Sequence, residues 1–220
     1  MSGTPLPPFS APETPTQPSA GGSSSRLRLA AAITAAVAVL TLAGCSSTGA
    51  DSGATSQAGF VMGADGIDTV AAADRQPAPA ISGNDLEGKP VSLADYKGKI
   101  VVLNIWGSWC SPCRAEAKGL EQVYQKYQSQ GVQFLGINTR DTDPTNARIF
   151  EQDNGITYPS IYDPDGTQIL KFPKGSLNPQ AIPTTIVIDR EGRLAARALR
   201  ALPPGDLESM LTPVLAEKSS

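Results

Sequence analysis

The sequence predicts an α/β domain: a central mixed β-sheet flanked by helices on both faces, with an N-terminal β-hairpin extension. Three observations carry this. Residues 100–106, Ile-Val-Val-Leu-Asn-Ile-Trp, form an apolar, β-branched run of the kind found in strands buried on both faces. An amphipathic helical stretch and a second apolar run follow, the order of a strand–helix–strand unit. Towards the C-terminus, Thr184 to Ile188 and Leu194 to Ala198 flank Asp189-Arg190-Glu191-Gly192, an antiparallel hairpin, and a last helical stretch comes after it.

Taken in order, the first 25 residues are rich in Pro, Ser, Thr and Gly, too poor in apolar surface to offset the entropy of ordering them. Arg26 and Arg28 then precede Leu29 to Leu42, an uncharged Ala/Val/Leu run. That run is shorter than the roughly 20 residues of a spanning helix and suits the apolar region of an export signal. The segment before Arg26 is longer than such a signal usually carries. Residues 45–79 are Gly/Ala/Ser/Asp-rich with one apolar island, Phe60-Val61-Met62, and read as a flexible tether. The expected division is therefore 1–44 disordered segment and signal, 45–79 tether, and 80–220 folded domain.

Within the domain, Ile81-Ser82 and Pro90 to Leu93 flank Glu87-Gly88-Lys89 as a hairpin-like pair. After the strand at 100–106, a helix begins near Ser111-Pro112, with proline tolerated in its first turn. Its Leu120, Val123, Tyr124 and Tyr127 fall at i, i+3, i+4 and i+7, one helical face. Val132 to Ile137 reads as a strand, Pro144 to Gln152 as a helix, Asp163-Pro164-Asp165-Gly166 as a turn, and Pro204 to about Glu217 as the final helix.

Composition narrows the chemistry. The 220 residues hold three Cys and no His, with 18 Lys+Arg against 21 Asp+Glu. Without histidine there is no Ser–His–Asp or Cys–His pair, no His-containing zinc site and no haem on a proximal His. A net charge of −3 lacks the basic excess of a nucleic-acid binder. Cysteine, carboxylate and lysine chemistry remain.

The chemistry concentrates in Trp106-Gly107-Ser108-Trp109-Cys110-Ser111-Pro112-Cys113-Arg114. Two cysteines three apart at a strand-to-helix junction can close a short disulfide. Cys110 falls at the helix N-terminus, where unpaired N–H groups and the macrodipole favour an anion, so its thiol is the expected attacking thiolate. Cys113, one turn inside, is placed to resolve a mixed disulfide. Other uses of the pair stay open here. A half zinc site lacks a second ligand pair. A purely structural disulfide would close a loop too short to constrain the unfolded chain much. A two-thiolate copper(I) site is chemically reasonable but shows no accessory His or Met near the motif.

Two resemblances add to this. Leu42-Ala43-Gly44-Cys45 resembles the lipobox of bacterial lipoproteins, which implies cleavage before Cys45 and lipid attachment to it. Val101 to Trp106, the Trp-Cys-x-x-Cys-Arg-x-Glu segment ending at Glu116, and Ala181-Ile182-Pro183-Thr184-Thr185 before Ile186 to Asp189 together resemble the thioredoxin superfamily, in its membrane-anchored TlpA/ResA branch. The resemblance covers most of residues 80–218. It implies a thioredoxin fold, a redox-active Cys110–Cys113 disulfide, and no cofactor or metal. It assigns Pro183 as a cis-proline facing the cysteines, with Ile182 beside it to pair with an extended client peptide. Trp109 is expected at the rim where clients dock, and Trp106 in the core. Asn104 stands where cytosolic thioredoxins carry a buried, proton-accepting Asp, and an amide cannot titrate. Glu116, at i+3 from Cys113, is the candidate replacement, with a solvated first-turn glutamate as the alternative.

The branch implies an extracytoplasmic, lipid-anchored reductase of client disulfides, among them the Cys-x-x-Cys-His segment of apocytochrome c. A membrane electron donor of the CcdA/DsbD type would serve it. An oxidase or isomerase for exported proteins, or a copper- or thiol-binding carrier, are the alternatives. A peroxidase is not expected, because the Pro-x-x-x-Thr-x-x-Cys pattern is absent. Ser111 between the cysteines, where a histidine would favour an oxidant, tilts the reading towards a reductant.

Overall fold

The computed structural model describes residues 56–217. The export-signal stretch and Cys45 with its lipobox-like motif lie outside these residues. A six-stranded sheet forms the centre. In chain order its strands are β1 (Ile67–Thr69), β4 (Ile100–Trp106), β5 (Val132–Thr139), β6 (Ser160–Asp163), β7 (Thr184–Ile188) and β8 (Leu194–Ala198), arranged as β1-β8-β7-β4-β5-β6. A separate antiparallel pair, β2 (Ser82–Asn84) and β3 (Pro90–Ser92), is the predicted hairpin. β4, β5 and β6 run parallel, while β7, β8 and β1 add antiparallel pairs, giving the mixed sheet the sequence implies.

Every residue of β4 is buried, which explains a run that is apolar at every position but Asn104. Alternate side chains serve two cores. Ile100 and Val102 join Leu120 and Val123 of α1 (Ser111–Tyr127) and Leu207, Met210, Leu211 and Val214 of α3 (Pro204–Ala216). Trp106, on the same side of β4, meets Ala147 and Phe150 of α2 (Pro144–Asn154), and its ring stacks on Phe150 at 4.6 Å between centroids. Val101, Leu103 and Ile105 point the other way. That second face is covered by short 3-10 turns at Leu93–Tyr96 and Ile169–Lys171, the hairpin, and the segment before residue 80. The sheet is thus flanked on both faces, but the expectation of helices on each needs qualifying. The three α-helices described form one layer. The other face has two short 3-10 helices, since the hairpin and the segment before residue 80 fill the space a helix would take.

The helix ends follow capping rules. Asp143 caps α2 through a 2.8 Å bond from Thr145 N–H, Pro144 takes the first turn, and Gly155 (φ 68°) ends the helix in the left-handed conformation. Gly136 on β5 marks a close approach: a Cβ there would lie 2.1 Å from Ser160 Oγ and 2.9 Å from Trp106 Nε1. The bare backbone lets the indole donate to Ser160 Oγ at 3.1 Å, tethering the end of β4 to β6.

The expected boundary at residue 80 needs correction. Residues 56–79 belong to the fold. Phe60 is fully buried and Val70 nearly so, in the core of the second face. β1 adds an edge to β8, where Asp68 accepts from Arg197 Nε at 2.8 Å. The Arg197 guanidinium lies 4.4 Å from the Phe60 ring centroid and also donates to the carbonyls of Gly175 and Ser176. Arg75 joins Asp189 at 3.0 Å and Glu217 at 2.7 Å. A few spaced apolar residues and two arginine clusters are enough to order a segment whose average composition reads as linker.

Candidate active site

β4 ends at Trp106, and Gly107-Ser108-Trp109 carry the chain to Cys110, the N-cap of α1. Cys110 Sγ accepts from the Cys113 N–H at 3.2 Å, so the sulfur sits in the field of the helix N-terminus. Pro112 occupies the first turn, where no N–H is needed. Cys110 and Cys113 form a disulfide, with an S–S length of 2.09 Å and Cα atoms 5.3 Å apart. Both are buried, whereas Trp109 beside them is 49% exposed. In this oxidised form burial does not separate the two sulfurs; what separates them is position, Cys110 on the loop and Cys113 within the helix.

Ile182 packs against the cluster that holds both cysteines, and the Ile182–Pro183 peptide is cis. The two motifs lie some 70 residues apart in sequence, and the β4–β7 pairing of Ile105 with Thr184 brings them together. Thr184 Oγ1 donates to the Ala181 carbonyl at 3.0 Å, pinning the turn that leads into the proline.

Beneath the cysteines lies a buried polar group. Glu116 is 4% exposed, so it is not a solvated first-turn residue. Its Oε1 accepts from Asn104 Nδ2 at 3.0 Å and its Oε2 from the Leu202 N–H at 2.8 Å. Asn104 also donates to Thr185 Oγ1 at 3.1 Å. Burial pushes the Glu116 carboxyl up to about 7, against the downward pull of those two donors. It can therefore gain and lose a proton near neutral pH. Asn104 and Cys113 line the same cavity of about 10 Å³, with Trp106 and Tyr158. The amide thus links the carboxyl to the space behind the inner cysteine. Tyr158, wholly buried, has its phenol pushed well up and stays neutral.

A second polar cluster, with no counterpart in the sequence reading, fixes the cysteine loop. The buried Asp141 carboxylate accepts from Ser108 N–H at 2.8 Å, Ser108 Oγ at 2.5 Å and Asn138 Nδ2 at 2.7 Å. Nothing in one dimension separates Asp141 from the solvated Asp143 two residues on. Its role depends on β5 ending beside the exit of β4.

Of the residues singled out in the sequence, Cys110, Cys113 and Ile182 form one cluster, with Pro183 adjoining it and Trp109 at its edge. Glu116 lies outside this cluster, bonded to Asn104, which lines a small cavity with Cys113. Trp106 is core, as expected.

Residues 75–197 match the AhpC/TSA family. The thiol-disulfide oxidoreductase ResA of Geobacillus thermodenitrificans is 37% identical over 117 residues, which cover 53% of this chain and 64% of that one, just under two thirds of its length. Among solved structures, a DsbF homologue from Corynebacterium diphtheriae is 41% identical with a TM-score of 0.64, covering 69% of this chain and 94% of its own. A secreted thiol-disulfide isomerase from Corynebacterium glutamicum is 38% identical with a TM-score of 0.65, covering 69% and 93%. With the sheet order and the cysteine-bearing strand–helix junction, these likenesses make the fold the thioredoxin fold expected from the sequence.

Proposed function

The chain belongs to the AhpC/TSA family, and we propose that within it the protein is a thiol-disulfide oxidoreductase that reduces disulfides in client proteins. The observation that carries this is the Cys110–Cys113 disulfide at the N-terminus of α1 with the cis Ile182–Pro183 turn packed beside it. A four-residue loop closed this way adds little to stability, which favours a redox over a structural use.

The reaction balances as a two-electron exchange. Cys110 thiolate attacks one sulfur of a client disulfide; a Cys110–client mixed disulfide forms and the client's other sulfur leaves as a thiolate that takes up a proton. Cys113 gives up its proton, attacks Cys110 Sγ, restores the Cys110–Cys113 disulfide and releases the second client thiol. Glu116 is the carboxylate that takes up the Cys113 proton, and Asn104, which cannot itself titrate, holds that carboxylate in place from the cavity it lines with Cys113. Trp109 and Ile182 form the two sides of the groove where an extended client lies, with Ile182 backbone available for strand-like pairing.

The setting proposed is extracytoplasmic, with Cys45 carrying the lipid that holds the domain at the outer face of the bacterial membrane. Clients would include the Cys-x-x-Cys-His segment of apocytochrome c, and electrons would come from a membrane partner of the CcdA/DsbD type. The name of the Geobacillus relative, a thiol-disulfide oxidoreductase, supports the exchange chemistry and carries no direction. The name of the Corynebacterium glutamicum neighbour, a secreted thiol-disulfide isomerase, favours a second reading, an oxidase or isomerase acting on exported proteins with the same cysteines.

Insulin reduction with dithiothreitol as electron source tests the activity. The wild-type protein is expected to accelerate precipitation of the insulin B chain, and Cys110→Ser to abolish the acceleration. Equal rates with and without the wild-type protein would sink the oxidoreductase reading and leave a carrier.

A further inference from the structure

Arg140 follows β5 and is the one non-glycine residue among those described with a positive φ, 59°. A side chain in the left-handed conformation crowds its own backbone and persists where the surroundings hold it there. Here the conformation sends two consecutive side chains in different directions. Asp141 points inward to Ser108, while Arg140 lays its guanidinium over the Trp109 ring, 5.2 Å from the centroid, and donates through Nη2 to the Pro179 carbonyl at 3.2 Å. The indole is seated close against the chain on Gly107, where a Cβ would come within 2.7 Å of Nε1.

Pro179 lies in the segment that ends at the cis-proline. The other hydrogen bonds of residues 177–182 are local: Gln180 N–H and Ala181 N–H both reach Asn178, and Ala181 carbonyl accepts from Thr184. Among the described residues, Arg140 is thus the hydrogen-bonding partner this segment finds outside its own neighbourhood. Arg140 therefore touches both Trp109, the neighbour of Cys110, and the segment that leads into the cis Ile182–Pro183 peptide.

We propose that Arg140 is a positioning residue that ties the Trp109 side of the client groove to the segment leading into Pro183, and so sets the width of the groove for a polypeptide client. The proposal rests on the oxidoreductase reading and deepens it. The planar guanidinium fork is suited to such a tie, because one edge donates to a carbonyl while the face stacks on an aromatic ring, which an ammonium cannot do. Arg140 does not touch the sulfurs, so small disulfides that need no groove should react with Cys110 as before.

The test compares wild type with Arg140→Ala, Arg140→Gly and Arg140→Lys in three measurements. Insulin reduction gives KM and kcat. Reaction of the reduced protein with 5,5′-dithiobis(2-nitrobenzoate) reports Cys110 without the groove. Acrylamide quenching of fluorescence reports Trp109, since the chain has two tryptophans and Trp106 is buried. Loss of one stacked cation and one hydrogen bond should raise KM for insulin roughly fivefold in Arg140→Ala, with kcat and the small-disulfide rate within about twofold. Quenching of Trp109 should rise. Arg140→Gly should match Arg140→Ala, because restoring a comfortable backbone does not restore the tie, and Arg140→Lys should recover only part. An unchanged KM, unchanged quenching, or a parallel fall with the small disulfide would overturn the proposal. Failure of the wild type itself to reduce insulin would instead overturn the oxidoreductase reading, and the quenching result would still decide whether Arg140 holds Trp109.

Discussion

Replacing Glu116 with glutamine keeps the side chain's shape and removes its charge, so the variant separates the cost of burying that charge from the value of its hydrogen bonds. The carboxyl is moved from its ordinary value of 4.5 to about 7, and the first cause is burial. At 1.36 kcal/mol per pH unit the difference corresponds to about 3 kcal/mol. Because the folded value lies above the unfolded one, the native state retains a proton between pH 4.5 and 7 that the unfolded chain has released. Stability therefore falls as pH rises through that window, and the full cost is present above pH 7. Below pH 4.5 both states are protonated and the term vanishes. Glutamine can offer its carbonyl to Asn104 Nδ2 or to Leu202 N–H but sets an amide donor against the other, a pH-independent loss of about 1–3 kcal/mol. Glu116→Gln should thus be less stable than wild type at pH 4.5 and equal or more stable at pH 8, a relative swing of about 3 kcal/mol. Urea unfolding of the oxidised proteins at pH 4.5, 6, 7 and 8 measures it, with the disulfide intact so that no thiol titrates. Glu151 is likewise pushed up to about 7 by burial, but it is common to both proteins and cancels in the difference. A difference that stays constant across the four pH values would refute the buried, near-neutral Glu116 and with it a proton acceptor for Cys113.

A chain beginning at residue 80 loses buried Phe60, Ile67 and Val70 together with the Asp68–Arg197 pair, and at about 1.5–3 kcal/mol per buried side chain it should be at least about 5 kcal/mol less stable than one beginning at residue 56. Denaturant midpoints for the two lengths check this, and equal midpoints would restore the tether reading. Gly136→Ala forces a Cβ into Ser160 Oγ and the Trp106 indole, and overpacking of this kind should cost about 1–3 kcal/mol and shift the near-ultraviolet dichroism of Trp106. An unchanged melting temperature would show that β5 and β6 separate freely at this point.

The elements legible in the sequence are those whose signal is local. The run at 100–106, the face of Leu120 and Val123, and the paired runs around Asp189 to Gly192 each declare their periodicity or turn within a dozen residues. β6 escapes a sequence reading although the turn that follows it does not, because four residues after Pro159 are too few to show alternation. β1 escapes it for a stronger reason: Ile67-Asp68-Thr69 becomes a strand only against Ala196 to Ala198, with the Asp68 charge answered 129 residues away by Arg197. The same contrast divides the site. The cysteine pair, the proline and the helical spacing of Glu116 from Cys113 can be read along the chain. Whether Glu116 is wet or buried depends on Leu202, 86 residues on, and the contacts of Arg140 and Asp141 depend on where β5 ends relative to β4. Residues whose partners lie across the sheet leave no local pattern to read.

The direction of electron flow is the central claim, and the equilibrium reduction potential of the Cys110–Cys113 couple tests it most directly. Protein comprising residues 56–217 would be equilibrated with glutathione or dithiothreitol buffers and the dithiol fraction measured by alkylation. A client reductase predicts a value near or below thioredoxin's roughly −270 mV. A value near DsbA's roughly −120 mV would contradict it and make the protein an oxidant of exported clients.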